Sequence, residues 1–279
     1  MTKSWPEIRE VSWGVLAALI VAIVSTAAFV NLYFFRLAAP QAVVDATAGL
    51  VGWTLMGSAI ILVIVVGGVI FGLGHQRPAD VGLIASKLPA AIGVTAALWV
   101  LTQALLSLGA WATLGEIPLD PRWAERGVTA MLGALIGQLF GNALTEEITY
   151  RGFLPPQTWL KLRGGLLGDV RWRLLLAALL SQAVFALAHI PNRIFSGMAG
   201  EEIALNMVVL VIFGLYYLFL YLRTSNLFFA IGVHALANQP ISLVQSDLAT
   251  PLIMLLALGA AFFWRSGAPH TARSAPDAL

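Results

Sequence analysis

Two adjacent carboxylates and an arginine, in Thr145-Glu146-Glu147-Ile148-Thr149-Tyr150-Arg151, close an apolar run that begins at Val128. Charged groups of this kind cost roughly 2.5–3.5 kcal/mol each on insertion scales at mid-membrane. A chain that keeps them there has them paired, solvated in a cavity, or both. Ionisable groups inside membrane spans are functional candidates by default. Further along, two more apolar runs each carry one histidine, in Phe185-Ala186-Leu187-Ala188-His189 and in His234-Ala235-Leu236-Ala237-Asn238. The chain has four histidines, and the other two, His75 and His270, fall in a loop and in the tail.

Positions four apart share a helix face. Glu147 and Arg151 are therefore neighbours, and a buried ion pair is the simplest way to tolerate both. Glu146 points about 100° away. It is left without that partner and is the candidate for chemistry, whereas Glu147 and Arg151 read as support. Phe185 and His189 share a face, as do His234 and Asn238. Singly, a histidine on an apolar helix is more often a satisfied core residue, and Asn238 could be glue between helices. Taken together, these residue types suit water activation. A carboxylate held away from bulk water is a fitting general base near neutral pH. A histidine can share the water or shuttle its proton, and a histidine with an asparagine can donate hydrogen bonds to an oxyanion. That is peptide hydrolysis without a serine or cysteine nucleophile. Zinc held by Glu146, His189 and His234 is the competing reading, although the His-Glu-x-x-His helix of zinc peptidases is absent.

These groups need a container, and the composition supplies one. Of 279 residues, 59% are hydrophobic and 11% charged, with a mean hydropathy of +0.86. Soluble domains carry about 25% charged residues. The deficit places the chain among all-α polytopic membrane proteins. A net charge of +2 gives no sign of a nucleic-acid partner. The absence of cysteine excludes disulfides, thiolate metal sites and a cysteine nucleophile.

Apolar runs fall at 11–35, 46–73, 88–114, 128–150, 174–190, 203–222, 227–244 and 252–264. The first is too long for the core of a signal peptide and reads as a retained anchor. About 20 apolar residues cross a bilayer, so about eight transmembrane helices are expected, the last two being short. They form one helical domain over 1–264, with a motif core at about 128–244 and a flexible cytoplasmic tail at 265–279. Basic residues set the orientation. Of the 16 lysines and arginines, 12 fall on the side of both termini (2, 2, 5, 1 and 2) and 4 on the other. Both termini are therefore expected in the cytoplasm, in a multi-pass protein of the cell (cytoplasmic or inner) membrane. With these boundaries Glu146 lies about 7.5 Å from the cytoplasmic edge, His234 about 12 Å and His189 about 24 Å. Groups that act together must meet at one depth. Span four must continue past Arg151, or span five must start before Arg173.

At these residues the chain resembles a known family. Glu146-Glu147-x-x-x-Arg151, Phe185-x-x-x-His189 and His234-x-x-x-Asn238 are similar, in order, to the three motifs of the CAAX protease and bacteriocin-processing (CPBP) intramembrane peptidases. The flanks Arg151-Gly152-Phe153-Leu154 and His189-Ile190-Pro191-Asn192 are similar too, and the resemblance covers roughly residues 135–245. It implies an eight-span helical fold with the site among helices four to seven. It implies that Glu146 and His189 activate a water and that His234 and Asn238 form the oxyanion site. It further implies a glutamate-type peptidase without a metal cofactor, acting on a membrane-associated or lipidated peptide or protein at the bilayer. The family includes prenyl-CAAX endopeptidases and bacterial members that process other peptides or give bacteriocin self-immunity. Two other classes use the same residues: a proton- or cation-coupled transporter, and a non-catalytic membrane scaffold or immunity protein. A transporter calls for broken spans in both halves, whereas the embedded ionisable groups of this chain fall only in the second half.

Overall fold

The structure, a computed structural model, describes residues 8–164 and 169–264. Lys3 and the expected tail at 265–279 lie outside the described residues. The described chain is an all-α, polytopic membrane protein. Its helices are α1 (Trp13–Arg36), α2 (Ala38–Ala46), α3 (Trp53–Leu73), α4 (Ala85–Leu114), α5 (Arg122–Lys161), α6 (Val170–Phe195), α7 (Gly200–Thr224), α8 (Leu227–Asn238) and α9 (Ala249–Phe263). Six of them are long and apolar enough to cross a membrane; α8 and α9 are shorter, and α2 is a brief surface helix. The eight expected passes thus resolve as six long helices and two short ones.

Helix α5 carries the first motif and departs most from its expected limits. Gly127 has φ +77, a left-handed conformation open to glycine, and it breaks the helix so that the membrane run starts at Val128. At the other end the expected boundary at Tyr150 is wrong, because the helix continues to Lys161. Pro155 and Pro156 do not end it. They sit in the first turn of the segment Leu154–Lys161, where a missing N–H is tolerated. The helix reaches them through a widened, π-helical stretch, Ile148–Phe153, in which Leu154 N–H bonds back five residues to Thr149 O. The next bond in that register would join Pro155 to the Tyr150 carbonyl, and proline has no N–H. Gln182 of α6 fills the gap, donating from Nε2 to Tyr150 O at 3.0 Å. Gly152 lies against the backbone of the Pro78–Val81 turn, where an added Cβ would stand 2.2 Å from Val81 O.

The expected start of span five at 174 is also corrected. Asp169 caps α6, accepting from Arg171 N at 2.7 Å, so the helix begins at Val170. Both extensions sink the motif residues. Glu146 is 15 residues from Lys161 and His189 is 19 from Val170, or about 22 Å and about 28 Å at 1.5 Å per residue. The mismatch in depth between Glu146 and His189 falls from about 16 Å to about 6 Å; His234 joins them because the short helix α8 starts at Leu227, inside the bundle.

The expected run 227–244 is not one helix. Helix α8 ends at Asn238, and its 12 residues span only about 18 Å. Apart from His234 and Asn238 it is apolar, and it is almost wholly buried, as a central helix must be. The stretch around Pro240 is irregular. Non-helical backbone survives at membrane depth only where protein groups satisfy it. In this stretch Trp99 Nε1 donates to Pro240 O at 3.0 Å, Trp123 Nε1 donates to Ser242 O at 2.7 Å, and Gln103 Oε1 accepts from Leu243 N at 2.8 Å.

Two ends of the bundle can be told apart. Residues 9–11 bond to Gln76, Gln157 and Lys161 at one end. At the other, Phe35 packs on Trp53 and Phe195. An antiparallel bridge joins Leu119 to Val244.

Candidate active site

The three motifs arrive on α5, α6 and α8 and meet at Glu146. Oε1 of this carboxylate lies 3.5 Å from His189 Nε2, and Oε2 lies 3.5 Å from His234 Nε2. Each imidazole is tied back through its other nitrogen. His189 Nδ1 is 2.8 Å from Phe185 O, and His234 Nδ1 is 2.7 Å from Glu147 Oε1. A carbonyl and a carboxylate can only accept, so both Nδ1 atoms carry the proton. Both Nε2 atoms are thereby turned toward Glu146. The shared depth follows from α6, whose regular helix stops at Leu187. His189 starts the next turn, with Pro191 in its first positions.

Glu147 and Arg151 are wholly buried and 3.0 Å apart. The guanidinium is also held between two rings, 4.3 Å from the centroid of Phe185 and 5.4 Å from that of Tyr217. Tyr217 continues the stack onto His234, with centroids 4.3 Å apart and planes 15° from parallel. Phe185 meets His189 edge-on at 4.7 Å. Phe185 thus ties Arg151 to one histidine, and Tyr217 ties it to the other. Glu147 does more than balance Arg151, since it also orients His234.

Asn238 sits one turn beyond His234 at the edge of the site. Its Nδ2 donates to Gln138 Oε1 at 3.0 Å, and Gln138 Oε1 also accepts from Asn142 Nδ2 at 3.3 Å. One hydrogen of the Asn238 amide is committed there and the other remains for a ligand.

Glu146, His189, His234 and Asn238 all line one cavity of about 520 Å³. Glu147 and Arg151 stand behind its wall. The cavity was expected among spans four to seven, and it is wider than that. Asn31 of α1, Ser58 of α3 and Met254 of α9 also line it, because α1 and α3 pack beside α5 and α6. It runs from Glu146 toward the end of the bundle marked by Phe35, Thr54, Arg193 and Thr250.

Three residues of the site escaped the sequence reading: Tyr217, Gln182 and Gln138. A tyrosine in an apolar run is unremarkable, and the Gln182 bond depends on a π-helical register. For Gln138 a signal existed. It precedes Asn142 by four, so two amides share one face of an apolar helix.

As to a metal, Glu146, His189 and His234 are acceptable zinc donors. The three stand in a row, each imidazole facing a different oxygen of the central carboxylate. Among the described residues no group of three or more His, Cys, Asp or Glu is arranged around one point that could hold a metal ion.

Fold and site together define a polytopic helical membrane protein with a glutamate, two histidines and an asparagine around an internal cavity. Residues 128–239 match a family model described as Rce1-like, type II CAAX prenyl endopeptidase Rce1-like. The resemblance read in the three motifs is shown over that segment, which contains all of them. The match spans 112 of the 279 residues, and at the level of that family it supports a CAAX-type intramembrane endopeptidase, a protease with protein substrates in a membrane setting. No curated protein and no solved structure matches the chain.

Proposed function

We propose that this protein hydrolyses a peptide bond in a membrane-associated or lipidated peptide, using water activated by Glu146 and His189. The observation that carries the reading is the orientation of the two imidazoles. Both are anchored at Nδ1, and both turn Nε2 to the same carboxylate in one cavity. Glu146 takes one proton from the water as its oxygen attacks the carbonyl carbon. His189, with a lone pair at Nε2, accepts and relays protons between Glu146 and the leaving nitrogen. The C–N bond then breaks as that nitrogen is protonated, giving a carboxylic acid and an amine. The oxyanion formed on the way is met by Asn238 Nδ2 and by His234. His234 has its Nδ1–H committed to Glu147, so it offers an Nε2–H only as an imidazolium. The carboxylates on either side of it supply the compensating charge. The direct test compares membrane proteomes of cells carrying the wild-type protein and Glu146→Ala. Uncleaved precursors should accumulate in the variant. Identical peptide termini in both would sink the reading.

The reaction so written needs no metal. Protein purified without chelators or added metal should contain well under one zinc per chain by elemental analysis. One zinc per chain, lost in Glu146→Ala, would replace the mechanism with a metal-dependent one.

We further propose that the termini face the cytoplasm of the cell membrane, as the basic residues suggest. The end toward which the cavity runs would then face outward. Because the chain has no cysteine, single-cysteine labelling reads this directly. Ser196→Cys, at the cavity end, should react with a membrane-impermeant maleimide in intact cells. Ser86→Cys, exposed beside the start of α4, should react only after permeabilisation. The opposite pattern reverses the orientation.

A further inference from the structure

Two cations from different helices lie against the ring of Trp159, near the end of α5. The guanidinium carbon of Arg163 stands 4.3 Å from the ring centroid, and that of Arg173, at the start of α6, stands 5.8 Å from it. Like charges held against one ring repel each other unless an anion compensates them. Among the described residues no carboxylate lies within ion-pair distance of Arg163, Arg171 or Arg173. The carboxylates nearby are engaged elsewhere. Glu10 pairs with Lys161 at 2.7 Å, and Asp169 Oδ1 accepts from Arg171 N to cap α6. Arg173 Nε is buried with no acceptor among the described residues, so the stem is fixed and the Nη groups are what the side chain can offer. The cluster stands at the end of the bundle where residues 9–11 bond to Gln157 and Lys161. Trp13 and Trp172, 68% and 62% exposed, flank it, and tryptophan gathers at the headgroup level of a bilayer. Below Trp172, Leu175 and Leu179 are exposed on the same face of α6. The cations thus sit at headgroup depth, at the head of an apolar track into the bilayer.

We propose that Arg163 and Arg173, set by Trp159, bind the phosphate of an anionic phospholipid, with an acyl chain lying along Trp172, Leu175 and Leu179. Guanidinium suits this ligand because its planar fork donates paired hydrogen bonds to phosphate oxygens. A zwitterionic headgroup would bring an ammonium into the field of Arg163, Arg171 and Arg173, so a net negative headgroup is selected. A free phosphate ion shares the phosphate chemistry but gains nothing from the apolar track. The site is separate from the cavity at Glu146, which none of Trp159, Arg163 and Arg173 lines. It joins the end of α5 to the start of α6, the two helices that carry Glu146 and His189. A bound headgroup therefore ties together the ends of those two helices.

The test titrates full-length, delipidated protein in detergent with dioleoyl phosphatidylglycerol or dioleoyl phosphatidylcholine and reads bound lipid by native mass spectrometry. The tightest site should prefer phosphatidylglycerol about twentyfold, roughly fivefold for each arginine beside an anionic headgroup. Arg163→Gln should reduce the preference to about fivefold, and Arg163→Gln with Arg173→Gln to less than about twofold. Arg171→Gln removes an equal charge from an exposed neighbour and should leave the preference within about twofold of wild type. Equal binding of the two lipids to wild type overturns the proposal, and so does a preference that survives the double variant. An equal loss in Arg171→Gln means that diffuse charge suffices, which also overturns it. Inorganic phosphate, added at matched ionic strength, should not displace phosphatidylglycerol; displacement assigns the site to a free anion and removes the lipid. Thermal unfolding supplies the second readout. Phosphatidylglycerol should raise the midpoint of the wild type by several degrees and leave that of the double variant unchanged. Should the double variant fail to fold, Arg163→Gln, a change at an exposed side chain, carries the test alone, and an unchanged preference in it overturns the proposal. None of these outcomes depends on peptide hydrolysis.

Discussion

Glu146→Gln should lower peptide hydrolysis by about 10²–10⁴-fold, the usual contribution of a general base, while the protein folds and unfolds as wild type. Glutamine keeps the shape of the side chain and removes only the charge. That charge holds nothing else in place. Glu146 faces the cavity, and its ion-pair neighbours are the two imidazoles, each 3.5 Å away. Arg151 has its own carboxylate in Glu147, so no cation is stranded. Substrate binding should persist, which makes the variant useful for trapping. The measurements are thermal unfolding in detergent and cleavage of a peptide identified by the proteomic comparison. Cleavage at the wild-type rate would remove Glu146 as the base and with it the glutamate-activated mechanism.

Glu147→Gln should behave in the opposite way, losing stability as well as activity. Removing one member of a buried ion pair typically costs about 3–5 kcal/mol. Arg151 would remain wholly buried without a compensating charge, beside a neutral amide and the Phe185 and Tyr217 rings. His234 Nδ1–H, now 2.7 Å from a carboxylate oxygen, would be left with at best a neutral amide oxygen that Arg151 also needs. Glu147→Leu combined with Arg151→Met removes both charges together. That double variant should regain part of the stability, since replacing a buried pair by apolar groups is often neutral or better. Its activity should stay low, because the imidazole still lacks its anchor. Thermal unfolding and hydrolysis, measured on the single and the double variants, separate the two contributions. If Glu147→Gln is as stable as wild type but inactive, the roles of the two glutamates are the reverse, with Glu147 as the base and Glu146 as its support.

The two carboxylates differ only in what surrounds them, and the sequence carried half of that difference. Glu147 and Arg151 are four apart on one helix, so their pairing is a local consequence of helix geometry and could be read directly. The same holds for Phe185 with His189, whose contacts lie within a single turn. The membrane class was legible for an equally simple reason. Apolar length alone decides what crosses a bilayer, and six long helices result. Helix ends were less legible. Pro155 and Pro156 normally read as a stop, and the helix passes them because Gln182, on another helix, supplies the missing donor. Pro240 does interrupt its run, because Trp99, Gln103 and Trp123 make an irregular backbone tolerable there.

By itself, then, the sequence determined which residues are polar in an apolar setting and which of them share a helix face. Tertiary structure alone decided which faces meet. The bond from His234 to Glu147 spans 87 positions, and the stack of Tyr217 on His234 joins α7 to α8. Hydrogen bonds from Asn192 and Arg193 reach α1 and α7. Spacing within a helix is fixed by its 3.6-residue turn, so a local pair is written in the chain. The rotation and depth of one helix against another are set by the summed packing of many side chains, to which no single residue is a guide. That packing turns both imidazoles toward Glu146 and leaves Glu147 behind the wall.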